Sequence, residues 1–197
     1  MREPANILDV SALQPDFMGF IFYDQSPRCV PHDFRIPTKL NQSIKKVGVF
    51  VDDSFEQVFD TVNRHALDFV QLHGKETVSF CEKLKRTEVG VIKAFSIDSN
   101  FDFKLVNPYK KAVDFFLFDT KGKYHGGNAT SFDWNLLQRY DQEIPFFLSG
   151  GISQSNIDEA LKLKDLNLYG FDVNSGVEIK AGMKDVDKVR ELKRIIA

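Results

Sequence analysis

Val113-Asp114-Phe115-Phe116-Leu117-Phe118-Asp119-Thr120 is a short apolar run that ends in an acid, and its repetition along the chain decides the fold. Such a run is too short for an ordinary helix and is apolar on both parities, as expected of a strand buried on both faces. Similar runs occur at Phe17 to Phe22, Val47 to Val51, Phe69 to Leu72, Val91 to Phe95, Phe146 to Ser149 and Tyr169 to Val173. Between them lie stretches with helical spacing. Phe55, Val58, Phe59 and Val62 share one face, with Ser54 and Gln57 placed as a capping box; Ile157, Ala160, Leu161 and Leu163 share another, after Ser153 and Asn156. A further helix is expected near Pro4 to Leu13. Strand ends recur roughly every 22 to 30 residues, the size of one βα unit.

Repeated βα units can build an open doubly wound sheet or a closed (β/α)8 barrel. An open sheet gathers its ligand at one crevice, whereas a barrel draws its site from many strand ends. Polar or small residues follow nearly every strand here: Arg28, Asp52-Asp53, His73-Gly74, Asp119, Ser149-Gly150-Gly151 and Asn174-Ser175-Gly176. The pattern predicts an α/β TIM (β/α)8 barrel spanning 1-197 as a single domain, with seven strands and about eight helices.

Composition narrows the class. The chain has 197 residues, a net charge of -2, two cysteines and 19 phenylalanines. Mixed charge argues against nucleic acid as a partner, and the short apolar runs and polar N-terminus argue against a membrane span or signal peptide. Unpaired cysteine usage suits a reducing, cytoplasmic setting. His32, His65, His73 and His125 have no metal-ligand spacing, so no metal is expected. A dinucleotide fingerprint is also lacking, and no cofactor is expected.

Each candidate residue has an ordinary structural role beside a chemical one. Asp119 is a catalytic acid or a cap for the next helix, with Gly122, Gly126 and Gly127 behind it. Arg28 is a solvated loop arginine or a fork for a planar carboxylate. His73 is a strand-end residue or a ligand contact. Ser149-Gly150-Gly151 and Asn174-Ser175-Gly176 are tight turns, or backbone cradles for an anion. Occurring in the last two units, where barrels often hold phosphate, the two turns together point to phosphate. Asp52-Asp53 reads as helix-dipole partners, Cys81 as a packed small hydrophobe, and Lys93 as a lysine lining the barrel.

In this order and spacing several stretches resemble the phosphoribosylanthranilate isomerase family. They are Gly19-Phe20-Ile21-Phe22-Tyr23 with Ser26-Pro27-Arg28, Val47-Gly48-Val49-Phe50, Gln71-Leu72-His73-Gly74, Phe118-Asp119, Gly126-Gly127 before Phe132-Asp133-Trp134, Leu148 to Ile152, Asp172 to Glu178 and Gly182-Met183-Lys184-Asp185. The resemblance covers essentially the whole chain. It implies a (β/α)8 barrel of tryptophan biosynthesis that performs a cofactor-free Amadori rearrangement. Asp119 would be the general acid, helped by burial that raises a carboxyl pKa. Arg28 would hold the anthranilate carboxylate, and Ser149, Gly150, Gly151, Asn174, Ser175 and Gly176 the phosphate. Gln71, His73 and Gly127 would line the site. The expected partner is a small phosphorylated substrate, with the chain a monomer or homodimer.

The resemblance also implies an element absent from these residues. The family's first strand ends in Cys-Gly, its cysteine being the general base, and Met1-Arg2-Glu3 matches the residues after that pair. The expectation is that Met1 is internal to a longer protein, with about 7 to 11 residues before it, enough for one strand. Without that strand a seam is expected between the strands ending at Phe22 and Val173. Cys29, beside Arg28, is a weak substitute base whose thiolate that charge could favour. Competing readings are a non-catalytic phosphate-binding barrel, or an epimerase or indole-glycerol-phosphate synthase.

Overall fold

The structure, a computed structural model, describes residues 1–120 and 133–196. Seven parallel strands form one sheet, paired in chain order: β1 (Phe17–Ile21), β2 (Lys45–Phe50), β3 (Phe69–Leu72), β4 (Gly90–Ile97), β5 (Phe115–Thr120), β6 (Phe146–Ser149) and β7 (Leu168–Phe171). The connections carry α1 (Pro4–Ser11), α2 (Phe55–His65), α3 (Val78–Lys85), α4 (Ile157–Leu161) and α5 (Val186–Ile196), with 3₁₀ turns at Phe103–Tyr109, Trp134–Arg139 and Ser175–Val177. A two-stranded hairpin, β8 (Glu178–Lys180) and β9 (Met183–Lys184), follows the last turn.

Local chemistry sets the helix ends. Gln57 N–H donates to the Ser54 hydroxyl while Ser54 N–H donates to the Gln57 side chain, closing the expected capping box. The helix stops at Ala66, which takes a left-handed φ of 46°. The start expected at Ser153 lies later: Asn156 caps α4, and its side chain turns back to accept from Ser153 N–H.

Strand parity divides the interior in two. Val70, Leu72, Val91, Ile97, Phe116, Phe118, Phe146 and Leu148 face the helices. Val47, Ile92, Ala94, Leu117 and Phe147 face the lumen. Phe17, Phe69, Phe115, Phe147 and Tyr169 pack ring on ring, with centroids 4.5 to 6.0 Å apart, and plug the N-terminal end of the strands. Such pairs add roughly 0.5 to 1.5 kcal/mol each beyond their buried area. With this plug in place the cavity opens at the C-terminal strand ends and along the seam between β1 and β7.

The sheet curls without closing, because β1 and β7 each pair on one side only. Their N-terminal ends meet through Phe17 and Tyr169. Outside, α1 packs on α5 and Lys193 Nζ donates to Leu13 and Gln14 carbonyls. Higher up, the Met1 nitrogen donates to the Gly19 carbonyl at 2.8 Å. No described helix is long and apolar enough to cross a membrane.

Candidate active site

Alternation along β5 sends Phe116 and Phe118 toward the helices and Leu117 and Asp119 toward the lumen. In register beside Asp119, β6 presents Ser149. On β3 the same alternation turns Gln71 inward, and His73 follows just beyond the strand. His73 Nε2 lies 3.2 Å from Asp119 Oδ2, and His73 Nδ1 lies 3.1 Å from Gln71 Nε2. Two proton arrangements satisfy this chain. With the Gln71 amide donating to Nδ1, Nε2 carries the hydrogen and donates to the Asp119 carboxylate. With the amide turned over, Nδ1–H donates to Gln71 and Nε2 accepts from the Asp119 acid. The side chain of Asp119 is 34% exposed, so the burial expected from its strand-end position is only partial, because the lumen opens beside it.

These groups line a cavity of about 1060 Å³ that runs from the strand ends into the seam between β1 and β7. Gln71, His73, Asp119, Ser149, Gly150, Gly151, Asn174 and Ser175 all reach it. Both glycines after β6 take left-handed backbone, with φ of 97° and 69°, which a side chain would strain. Asn156 Nδ2 fixes the turn by donating to the Gly151 carbonyl. At Gly176 a Cβ would lie 2.1 Å from the Ile152 carbonyl oxygen, so only glycine lets the last turn pack on the β6 turn. Gly176 thus brings the two turns together without itself lining the cavity. The turns after β6 and β7 are therefore adjacent at the C-terminal end of the sheet.

Arg28 is placed differently from the sequence expectation of a fork open to ligand. Its Nε and Nη2 donate to Glu178 at 2.7 to 3.0 Å, and it does not line the cavity. Burial pushes the Glu178 carboxyl up, but donation from Arg28, Gly182 N–H and Lys184 outweighs this and holds it below the ordinary range. Lys184 lines the cavity and donates to the Asn174 carbonyl and to Glu178. Burial lowers its pKa against the opposing pull of Glu178 and Asp172. Asp172 also lines the cavity, accepts from Ser149 Oγ at 3.0 Å, and is raised by burial.

Three sequence expectations are revised. Cys29 is not activated by Arg28, which is turned toward Glu178; burial and a hydrogen bond to Asp24 raise its thiol pKa. Lys93 does not line the lumen. It falls on the helix-facing parity of β4 and pairs with Glu76 at 3.0 Å, both side chains being almost fully buried. Asp52 does more than meet a helix dipole, since its carboxylate accepts from Lys75 N–H after β3. Cys81 is buried on α3 as expected, its thiol pushed up to about 11. Gly127, with Gly122, Gly126 and His125, lies outside the described residues. The sequence reading named Asp172 only within the run Tyr169 to Val173 and missed it as a site residue.

Residues 1–194 match the family model for N-(5'phosphoribosyl)anthranilate (PRA) isomerase. The chain belongs to the phosphoribosylanthranilate isomerase family. It is 41% identical over 193 residues to the N-(5'-phosphoribosyl)anthranilate isomerase of Parabacteroides distasonis, covering 96% of this chain and 87% of that protein. The crystal structure of phosphoribosyl anthranilate isomerase from Thermotoga maritima superposes with a TM-score of 0.84 at 30% identity, over 98% of this chain and 94% of that one. A phosphoribosylanthranilate isomerase in complex with reduced 1-(o-carboxyphenylamino)-1-deoxyribulose 5-phosphate gives a TM-score of 0.81 at 29% identity, over 98% and 92%. Family membership and the curled parallel barrel therefore agree.

Proposed function

We propose that the site rearranges N-(5-phosphoribosyl)anthranilate to 1-(2-carboxyphenylamino)-1-deoxyribulose 5-phosphate, a step of tryptophan biosynthesis. Asp119 gives its proton to the ribose ring oxygen. The C1–O bond breaks with its electron pair leaving on that oxygen, and the anilino nitrogen lone pair forms the C1=N iminium. Loss of the C2 proton gives an enolamine; C1 then takes a proton as the C2 hydroxyl loses one to become the ketone, so two protons are gained and two lost and no oxidant or reductant is consumed. The proton that the C2 hydroxyl releases as the ketone forms returns Asp119 to its acid form, with His73, backed by Gln71, holding the carboxyl in place.

The turns after β6 and β7 take the phosphate through backbone N–H groups. Arg28 lies outside the cavity, held through Nε and Nη2 to Glu178, and in this reading turns its remaining Nη1 toward the carboxylate when substrate enters. Neither cysteine lines the cavity, so this reading assigns the C2 base to neither Cys29 nor Cys81. A cytoplasmic monomer or homodimer fits the same reading; a Thermotoga maritima relative is described as dimeric.

The observation that carries the proposal is the meeting of Asp119, His73 and both glycine turns in one cavity at the strand C-termini. Titration calorimetry with reduced 1-(o-carboxyphenylamino)-1-deoxyribulose 5-phosphate tests it on the chain as it stands. One site per chain, competed by inorganic phosphate, is expected. No binding, or binding that survives saturating phosphate, overturns it.

A further inference from the structure

Two buried charges beside the cavity take no part in the chemistry above. Side-chain exposure is 9% for Lys184 and 5% for Glu178, and both belong to the β8–β9 hairpin. Their hydrogen bonds define what each can do. An ammonium has three donors, and those of Lys184 go to the Asn174 carbonyl at 2.9 Å, Asn174 Oδ1 at 2.5 Å and Glu178 Oε1 at 3.1 Å. With all three donors committed, Lys184 acts through Asn174 rather than on a ligand.

Asn174 is the residue that needs holding. Its backbone, at φ -119° and ψ -88°, lies outside the regular regions, and it leads directly into Ser175 and Gly176. Local sequence does not enforce such a conformation, so a bond to both its carbonyl and its side chain is the restraint that does. The backbone of Lys184 is fixed in turn by Asn6 on α1, whose amide both donates to the Lys184 carbonyl and accepts from its N–H at 2.8 Å. The hairpin therefore transmits the position of α1 to the last turn.

Glu178 connects this restraint to the other side of the site. One carboxylate accepts from Lys184, from Gly182 N–H at 3.0 Å and from two nitrogens of Arg28. Arg28 lies 150 residues away in sequence, on the connection after β1. The two cations share the Glu178 anion, and Asp172 also acts on Lys184.

We propose that Lys184 is the positioning residue of the last turn, and that Glu178 ties it to Arg28 so that the two anionic ends of a substrate are bound cooperatively. This rests on the phosphate and carboxylate assignments proposed above. A phosphate on the turn fixes Asn174 and Lys184, which fixes Glu178 and hence Arg28 before the carboxylate arrives. A site without this strut would hold each anion independently.

Inorganic phosphate and anthranilate are the probes, each titrated alone and in the presence of the other. In the parent chain each should tighten the other's affinity by the same factor, as linkage requires. Lys184→Met should weaken phosphate by about 10- to 100-fold, the size of a charged hydrogen-bond loss, and Lys184→Arg should recover part of it. Glu178→Gln should leave phosphate bound but abolish the mutual effect. Equal phosphate affinity in parent and a folded Lys184→Met overturns the positioning role; a mutual effect that survives in Glu178→Gln overturns the coupling. If Lys184→Met does not fold by circular dichroism, Asn174→Ala takes its place, since it removes only the Oδ1 anchor; undiminished phosphate affinity in that variant overturns the role. Failure of the parent to bind phosphate at all overturns the site assignment itself and is thereby distinguished from failure of the strut.

Discussion

Replacing Lys93 by methionine should be among the most damaging changes outside the lumen. The Lys93 and Glu76 side chains are 3% and 2% exposed, and Lys93 Nζ also reaches the carbonyls of Leu72, Gly74 and Ala94 at 2.8 to 3.1 Å. Glu76 uses Oε1 to accept from Asp52 and Gly74 N–H. Removing the ammonium leaves that carboxylate buried without a cation, which costs about 3 to 5 kcal/mol. Against a total stability of about 5 to 15 kcal/mol this is a large share. For a chain of this size it corresponds to roughly 6 to 20 °C in Tm. Urea unfolding followed by far-UV circular dichroism measures it. Glu76→Gln added to Lys93→Met keeps the acceptor for both N–H groups and removes the stranded charge, so the double variant should recover about 2 kcal/mol. A single variant within about 1 kcal/mol of the parent, or a double variant no better than the single, refutes the reasoning.

Other changes test separate parts of the site. Gly176→Ala forces a Cβ onto the Ile152 carbonyl; it should destabilise by about 1 to 3 kcal/mol in denaturant and weaken phosphate binding by calorimetry. Two neighbouring carboxylates should respond to pH with opposite signs. Glu178 has a depressed pKa, so its contribution is present above the ordinary carboxylate range and is lost as pH falls below roughly 4, seen as acid sensitivity that Glu178→Gln lacks. Asp172 has a raised pKa, so its contribution is present in acid and is lost as pH rises; Asp172→Asn should gain Tm at neutral pH and lose that advantage in acid. Cys29, its thiol raised by burial and Asp24, should react with iodoacetamide at pH 8 more slowly than an unhindered model thiol.

Much of this arrangement was readable from the chain, for identifiable reasons. The sequence showed that Asp119 and Ser149 end strands and that Gln71 lies within one, while their turn toward the lumen emerged only in the structure, since both strand faces are apolar. The glycine turns were legible because left-handed backbone and close approach leave few alternatives to glycine. What sequence could not show is pairing across long separations. Arg28 could not be matched to Glu178, 150 residues away, nor Lys93 to Glu76 across the loop after β3. A lone charge in an apolar strand reads equally well as lumen lining or as half of a buried pair, and only its partner decides.

Asp119 as the ring-opening acid is most directly tested by substitution in a form that turns over. A turnover-competent form of the protein is assayed with N-(5-phosphoribosyl)anthranilate, following the loss of anthranilate-type fluorescence on conversion. Asp119→Asn should lower kcat by about 10²- to 10⁴-fold with KM within a few-fold, since the amide fills the same place beside His73 but has no acidic proton to give. An Asp119→Asn enzyme that keeps kcat within about 10-fold of the parent contradicts the account.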